Sequence, residues 1–401
     1  RKINSVKIIG NLYTKDHIIK REITHPIPGD FSETHLKEDR NRIYNLGIFS
    51  TVDISVQNSV YTISVVETFR FLPFPLFKYD EGIGISYGGG LAYKNFRGLN
   101  QKLVFGMLSG KDKTWFIDFM DPWITGDHIS INFGLYNFHA DGSVYAYNYH
   151  EEGEYLGVGF YRGNQHKYYI KIGTETIQLD TVDLKINNRW DLNDTNFAPK
   201  YSYLFTSLNY QYDTRDVFID PSRGHHLSVH LKPRLGFNKT ANHIQLKVKH
   251  TVYTQVSKSF GNPVLSIRST VFFQKSNLLP LFSKVYIGGE DYVRGYSPVP
   301  WQNPRVIEHK IEGVHALYES IQLQHTWIRR KDWGGIELGV DGVYFIDIGM
   351  VVNNLKSAQI NNAIIGYGLG VRFFMSGVGV IGIDFGFNPY GSSFIHPTSQ
   401  N

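Results

Sequence analysis

Of the 401 residues, 42% are hydrophobic and only 19% charged; 26 Tyr, 27 Phe and 39 Gly stand out, and there is no cysteine. This profile excludes a disordered chain, a helical protein rich in Ala, Glu, Leu and Lys, and any fold that depends on disulfides. A net charge of +5 without a Lys/Arg run argues against a nucleic-acid partner, and no run of about 18 apolar residues offers a transmembrane helix.

Residues 1–68 mix two periods. Val6, Ile8 and Ile9 form a short apolar strand ending at Gly10-Asn11; the opening Arg1-Lys2-Ile3 is not a signal peptide, so an exported chain is expected to have lost its signal. Thr14 is placed to cap a helix carrying Ile18, Ile19 and Ile23, and Ser32 a second carrying Leu36, Ile43 and Leu46 and stopped by Gly47. Two strands follow, Phe49 to Val56 and Val60 to Val66, giving the order β-α-α-β-β of a small α+β module. Pro73 and Pro75, within Phe71 to Phe77, then read as a stiff linker over 69–79.

From residue 80 the helical period disappears. His226, Ser228, His230, Lys232 and Arg234 share one strand face, and Leu227, Val229, Leu231 and Leu235 the other. The same alternation recurs in Ile244-Leu246-Val248, Ile321-Leu323 and Ile336-Leu338-Val340. There are too many such strands for a small packed barrel, and a cationic face suits a wide, wet lumen, so the reading is an outer-membrane β-barrel with aromatic girdles. Fifteen strands are countable, from 81–88 and 90–97 to 378–388. Tight turns such as Asn95 to Asn100 and Gly163 to His166 alternate with long connections at 139–152, 181–199, 276–313 and 353–362, and all the long ones fall on one parity. An odd count does not close a bacterial barrel, and the tail from Gly391 reads as a loop, so a sixteenth strand is expected either to be missing from this chain, the favoured reading, or to be supplied by another chain.

The chain resembles the BamA-like outer-membrane assembly factors and their TamA, Sam, Toc and two-partner secretion relatives. Residues 1–68 resemble a POTRA domain, Asp213-Thr-Arg-Asp216 with Asp220-Pro-Ser-Arg-Gly224 resembles the family's turn between strands eight and nine, and Gly288-Gly289 leading to Val293-Arg294-Gly295-Tyr296 is similar to its loop-six motif. Phe345-Ile-Asp347-Ile-Gly349 is similar to its FxDxG strand motif, and Gly368 to Arg372 followed by Gly382 to Gly386 to the next strand pair. The resemblance implies a 16-stranded antiparallel transmembrane β-barrel over 80–401, preceded by the POTRA domain, with loop six over 276–313. It also implies that loop six folds into the lumen and that Arg294 meets acidic residues there. Asp347 shares strand parity with Glu337 and Asp341, and Asp384 with Gly382 and Gly386, so both carboxylates are expected to face the lumen.

The implied function is folding and inserting client outer-membrane proteins by β-augmentation at a lateral seam, with polypeptide secretion as the alternative in the same superfamily. The seam is expected at a glycine-dense first strand holding Gly82, Gly84 and Gly88, and the POTRA module offers Phe49 to Val56 or Val60 to Val66 as a strand edge. Implied partners are unfolded outer-membrane proteins, accessory lipoproteins at the POTRA domain and outer-membrane lipid, with the POTRA domain in the periplasm. No catalytic residue, metal or cofactor is expected. GxSxG is absent, the histidines show no metal-like grouping, and Glu151-Glu152-Gly153-Glu154 reads as a solvated carboxylate cluster in an external loop.

Overall fold

A computed structural model describes all residues except 1, 81–83, 111–112, 126–128, 141–147, 164, 180–194, 197, 258–260, 334–335, 376–378 and 401. In the N-terminal module, Ser5–Ile9 runs parallel to Val60–Glu67, which pairs antiparallel with Phe49–Gln57. Val60–Glu67 is therefore the central strand, and only Ser5–Ile9 and Phe49–Gln57 are edges. The helices Asp16–Lys20 and Glu33–Tyr44 bury Ile18, Ile19 and Ile43 against Ile3, Val52, Tyr61 and Ile63. The hydroxyl of Ser32 caps the second helix by accepting from the His35 amide. Thr14 does not cap the first; its hydroxyl and amide both donate to Glu67.

The remainder is one 16-stranded sheet in which every strand pairs antiparallel with the next in sequence. It runs from Phe71–Asp80, the first strand, to Ser393–Gln400, the sixteenth. Period-2 alternation fixes the facing. In the fifteenth strand, Gly379–Phe387, the exposed residues are Ile381, Ile383, Phe385 and Phe387, while Gly382, Asp384 and Gly386 are buried between them. An apolar outside and a polar inside is the pattern of a barrel standing in lipid. Among the described residues no helix is long and apolar enough to cross a membrane.

Three boundaries differ from the sequence expectation. The linker of 69–79 is mostly the first strand. Residues 84–88 and 90–96 of the two expected strands belong to one second strand, Gly84–Phe96, which the run Gly88-Gly89-Gly90 made look broken; 81–83 lie outside the described residues. The tail supplies the sixteenth strand, so none is missing. Both overlooked strands contain proline, which costs a strand nothing where its nitrogen points away from the only neighbour. Arg70 accepts from the Lys94 amide, so even-numbered residues of the first strand bond the second and Pro73 and Pro75 turn outward. Asn388 likewise donates to Ser392, which puts the nitrogen of Pro397 on the far side of the sixteenth strand. The Glu151 to Glu154 segment is also strand, within Tyr149–Arg162; Glu152 and Glu154 share its exposed face and Glu151 lies on the other.

Connections at the end of the barrel beside the module are short. At the other end the sixth connection, between the eleventh strand Val264–Ser276 and the twelfth, His315–Asp332, is the long one containing Gly288 to Pro300.

Candidate functional site

Loop six turns back into the barrel as a folded unit. Val285–Tyr286 pairs with Glu312–Gly313, the Val293 amide donates to the Ile287 carbonyl at 2.9 Å, and Gly289 donates to Tyr296 at 2.9 Å. Val293 and Tyr296 are fully buried with Ile287, Ile307, Tyr318 and Ile364. Gly295 has φ +94°, a left-handed conformation that glycine adopts without strain and that reverses the chain at the tip.

Arg294 is 3% exposed, and Asp347 and Asp384 are fully buried. Its Nε and Nη2 donate to the two Asp347 oxygens at 2.7 and 2.8 Å, and its own amide donates to Asp347 at 3.1 Å. Nη1 donates to Asp384 at 2.9 Å and Gln322 at 3.2 Å, and Nη2 also reaches the Ser320 hydroxyl at 3.2 Å. All five guanidinium N–H groups thus have acceptors. The ring of Phe345 lies 3.5 Å from the guanidinium carbon, a cation–π contact that covers the remaining face.

Asp384 has a second partner. Arg372, on the fourteenth strand Ile364–Met375, donates to both of its oxygens at 2.6 and 2.8 Å. Two guanidiniums therefore meet two carboxylates, and the buried cluster is neutral, the condition under which charges persist away from water. The wall is shaped to admit the loop. A side chain at Gly349 would strike Val293, one at Gly366 the Arg294 carbonyl, and one at Gly386 the Gly295 amide. Gly295 is also held directly: its amide donates to His396 Nε2 at 3.0 Å, and its carbonyl accepts from Asn388 at 2.6 Å. Tyr296 donates to the Ile365 carbonyl at 2.9 Å.

The structure thus brings Val293, Arg294, Gly295, Tyr296, Phe345, Asp347, Gly349 and Asp384 to one place. Sequence reasoning missed Ser320, Gln322, Arg372, Asn388 and His396. Their signal was weak: Gln322 alternates with apolar neighbours, and Arg372 ends a glycine-rich strand, but nothing local says which wall faces the loop.

Loop six also grips the opposite wall. Phe282 packs against Tyr149, Tyr201, Tyr203 and His243, and the side-chain Nε2 of Gln274 donates to the Ser283 and Val314 carbonyls, each at 2.8 Å. At the other end the turn after the eighth strand reaches across, with Gln324 donating to Asp220 at 3.0 Å. Asn45 and Tyr44 of the module hold Phe218 and Glu337 at 3.2 and 3.0 Å. Between these two obstructions lies a cavity of about 400 Å³, lined by Arg215, Lys249, Arg268, Asp291, Arg372 and Asp384 among others.

The sheet has two ends. Among the described residues no ladder joins Phe71–Asp80 to Ser393–Gln400. The glycines expected at this seam are elsewhere: Gly84 and Gly88 lie on the second strand, where Gly88 pairs with Leu76 on one side and Leu108 on the other, and Gly82 lies outside the described residues. The seam is lined instead by Pro73 and Pro75 on one edge and Pro397 on the other.

Residues 95–392 match the Omp85 superfamily domain, and residues 1–68 match POTRA, described as a surface antigen variable number repeat. Among solved structures, the chain is similar to BamA from Haemophilus ducreyi lacking POTRA domains 1–3, at 17% identity and a TM-score of 0.61, covering 100% of this chain and 81% of that one. It is also similar to CdiB from Acinetobacter baumannii (14% identity, TM-score 0.53, 100% of this chain and 74% of that one). CdiB from Escherichia coli gives 12% identity and a TM-score of 0.56, with 99% and 74% covered. At these identities the likeness is one of fold.

Proposed function

The chain belongs to the Omp85 superfamily, an outer-membrane β-barrel preceded by a POTRA module, and from that premise we propose that it folds and inserts client outer-membrane proteins through the seam between its first and sixteenth strands. The observation that carries this reading is that, among the described residues, the two edges at the ends of the sheet are not paired with each other. A client strand entering there has its backbone groups satisfied by an edge as it meets lipid, where unsatisfied N–H and C=O groups cost several kcal/mol each. No nucleotide is required, because client folding supplies the free energy.

Loop six bears on the strands that border this seam. Asp384 and Gly386 belong to the fifteenth strand and His396 to the sixteenth. The Arg294 cluster fixes the register of that wall against the loop, so the seam has one stiff side. The POTRA module, placed in the periplasm, presents Phe49–Gln57 as a free strand edge to incoming chains or accessory lipoproteins.

One observation favours a second reading, translocation of a polypeptide through the lumen. Pro73, Pro75 and Pro397 remove donors from the very edges a client would use. Depletion separates the two. Insertion requires other outer-membrane barrels to lose assembly when the protein is depleted, and purified protein in liposomes to speed the folding of an added barrel client. Barrels that assemble normally after depletion, beside a lost surface or secreted polypeptide, would decide for translocation.

A further inference from the structure

The module carries an apolar side chain held out from its surface. Leu12 is 96% exposed, yet its loop is pinned at both ends. The Leu12 amide donates to the Gly10 carbonyl at 3.0 Å, the Thr14 amide to Glu67 at 2.7 Å, and the Lys15 amide to the Gly98 carbonyl of the first barrel turn at 3.0 Å. The Asn95 amide group donates to the Thr14 hydroxyl at 2.8 Å. Such a loop cannot turn Leu12 back into a core.

The height of this loop on the barrel follows from Tyr13. Its hydroxyl lies 3.2 Å from that of Tyr93, near the end of the second strand. Tyr93 is on the lipid face: it sits two residues from exposed Leu91, opposite Phe71 on one neighbour and Leu103 on the other, both exposed. Tyr93, Phe71 and Phe96 form a ring cluster with centroids 4.8 and 5.2 Å apart. Aromatic residues at a strand end mark the boundary between hydrocarbon and head groups. The Arg70 guanidinium lies 3.6 Å over the Tyr13 ring, and Arg70, Lys15 and Phe69 are all exposed alongside. Leu12 therefore stands beside the barrel's belt, on its outer side, with cations flanking it.

We propose that Leu12, with Phe69 and Phe71, forms a lipid-interface anchor that seats the module on the leaflet nearest to it, next to the first strand of the seam. The occupant is the head-group boundary of a phospholipid layer. The apolar side chains enter it, and Arg70 and Lys15 meet phosphate oxygens. Continuity with the lipid-facing belt selects a bilayer over a protein partner. The anchor depends on the barrel's place in a membrane and is independent of which polypeptide the protein handles.

The absence of cysteine makes the test direct. Leu12→Cys and Phe69→Cys, each labelled with an environment-sensitive fluorophore, are compared with Gln57→Cys in the full chain reconstituted into vesicles of phosphatidylethanolamine and phosphatidylglycerol. Gln57 is exposed at the hairpin farthest along Val60–Glu67 from the barrel. Labels at 12 and 69 should be quenched several-fold more than the label at 57 by nitroxide-bearing phospholipid, and several-fold less by iodide present on both sides. Iodide quenching at 12 equal to that at 57 overturns the anchor. Protection at 12 from both quenchers also overturns it, since it would mean that protein, such as a second copy, covers the site. Unchanged heat-modifiable migration of each variant confirms a folded barrel.

Discussion

Arg294 bonds Asp347 three times, twice through its guanidinium and once through its own backbone amide, so the carboxylate fixes both the side chain and the turn that carries it. An ion pair between two side chains alone would hold a charge in place; this one also holds the loop.

Arg294→Ala should therefore undock loop six. Asp347 would be left buried without a cation, whereas Asp384 keeps Arg372, and losing one partner of a buried pair costs about 3–5 kcal/mol. Loop six in the reconstituted protein should become cleavable by added protease. Arg294→Lys should not rescue it, because an ammonium cannot make a bidentate bond to Asp347 and reach Asp384 together. Unchanged protease protection in the alanine variant would remove the docking role.

The same loop can be displaced without touching a charge. Gly366→Ala and Gly386→Ala each place a carbon against the backbone of Arg294 or Gly295, where no rotamer change relieves it. Backbone amides 288–297 should exchange hydrogen faster in both variants, while the cluster's residues are all present. If exchange there stays slow, the glycine floor is not what admits the loop.

Restoring donors at the seam should make it zip. In Pro73→Val/Pro75→Thr/Pro397→Val, three backbone N–H groups return to edges that have none at those positions. The folded form should survive to a higher temperature before unfolding in detergent, read as a gel-mobility shift. Client insertion should fall if the seam is the route. An unshifted transition would mean that the prolines are not what keeps the edges apart.

Acid should strengthen the module where it meets the barrel. Burial pushes the Glu22 carboxyl above the usual carboxylate range, and the Arg42 and Arg21 guanidiniums, which pull the other way, do not overcome it. A raised folded value means that the native state holds the proton more tightly. Its contribution is complete below the unfolded pKa of about 4.3 and is lost as pH rises through the folded value. Between about pH 4 and pH 7 the urea midpoint for proteolysis of residues 16–44 should fall in the parent chain. It should fall less in Glu22→Gln. Equal slopes in the two proteins would assign the dependence to another group.

How much was legible in the sequence follows from which interactions are local. Alternation over Ile381 to Phe387 or Phe345 to Gly349 assigns faces because period 2 is a property of the strand itself. Parity of the long connections put Arg294 opposite the module, and the order of the motifs pointed to the family. Proline and glycine misled for one reason: their local meaning is a break, and whether a strand tolerates them depends on which side its neighbour lies. That is why Phe71–Asp80 read as a linker, Gly84–Phe96 as two strands and Ser393–Gln400 as a loop.

By itself, then, the sequence determined a POTRA-like module, a lipid-facing barrel and an arginine with two carboxylates turned toward the same lumen. Tertiary structure alone decided that Arg372 shares Asp384, that His396 of the last strand holds Gly295, and that the seam is edged by prolines instead of glycines. Those contacts join residues from 12 to 101 positions apart. Arg372 and Asp384 meet diagonally across the paired fourteenth and fifteenth strands, and His396 reaches Gly295 because loop six folds back onto the last strands; no pattern within a single strand encodes either approach.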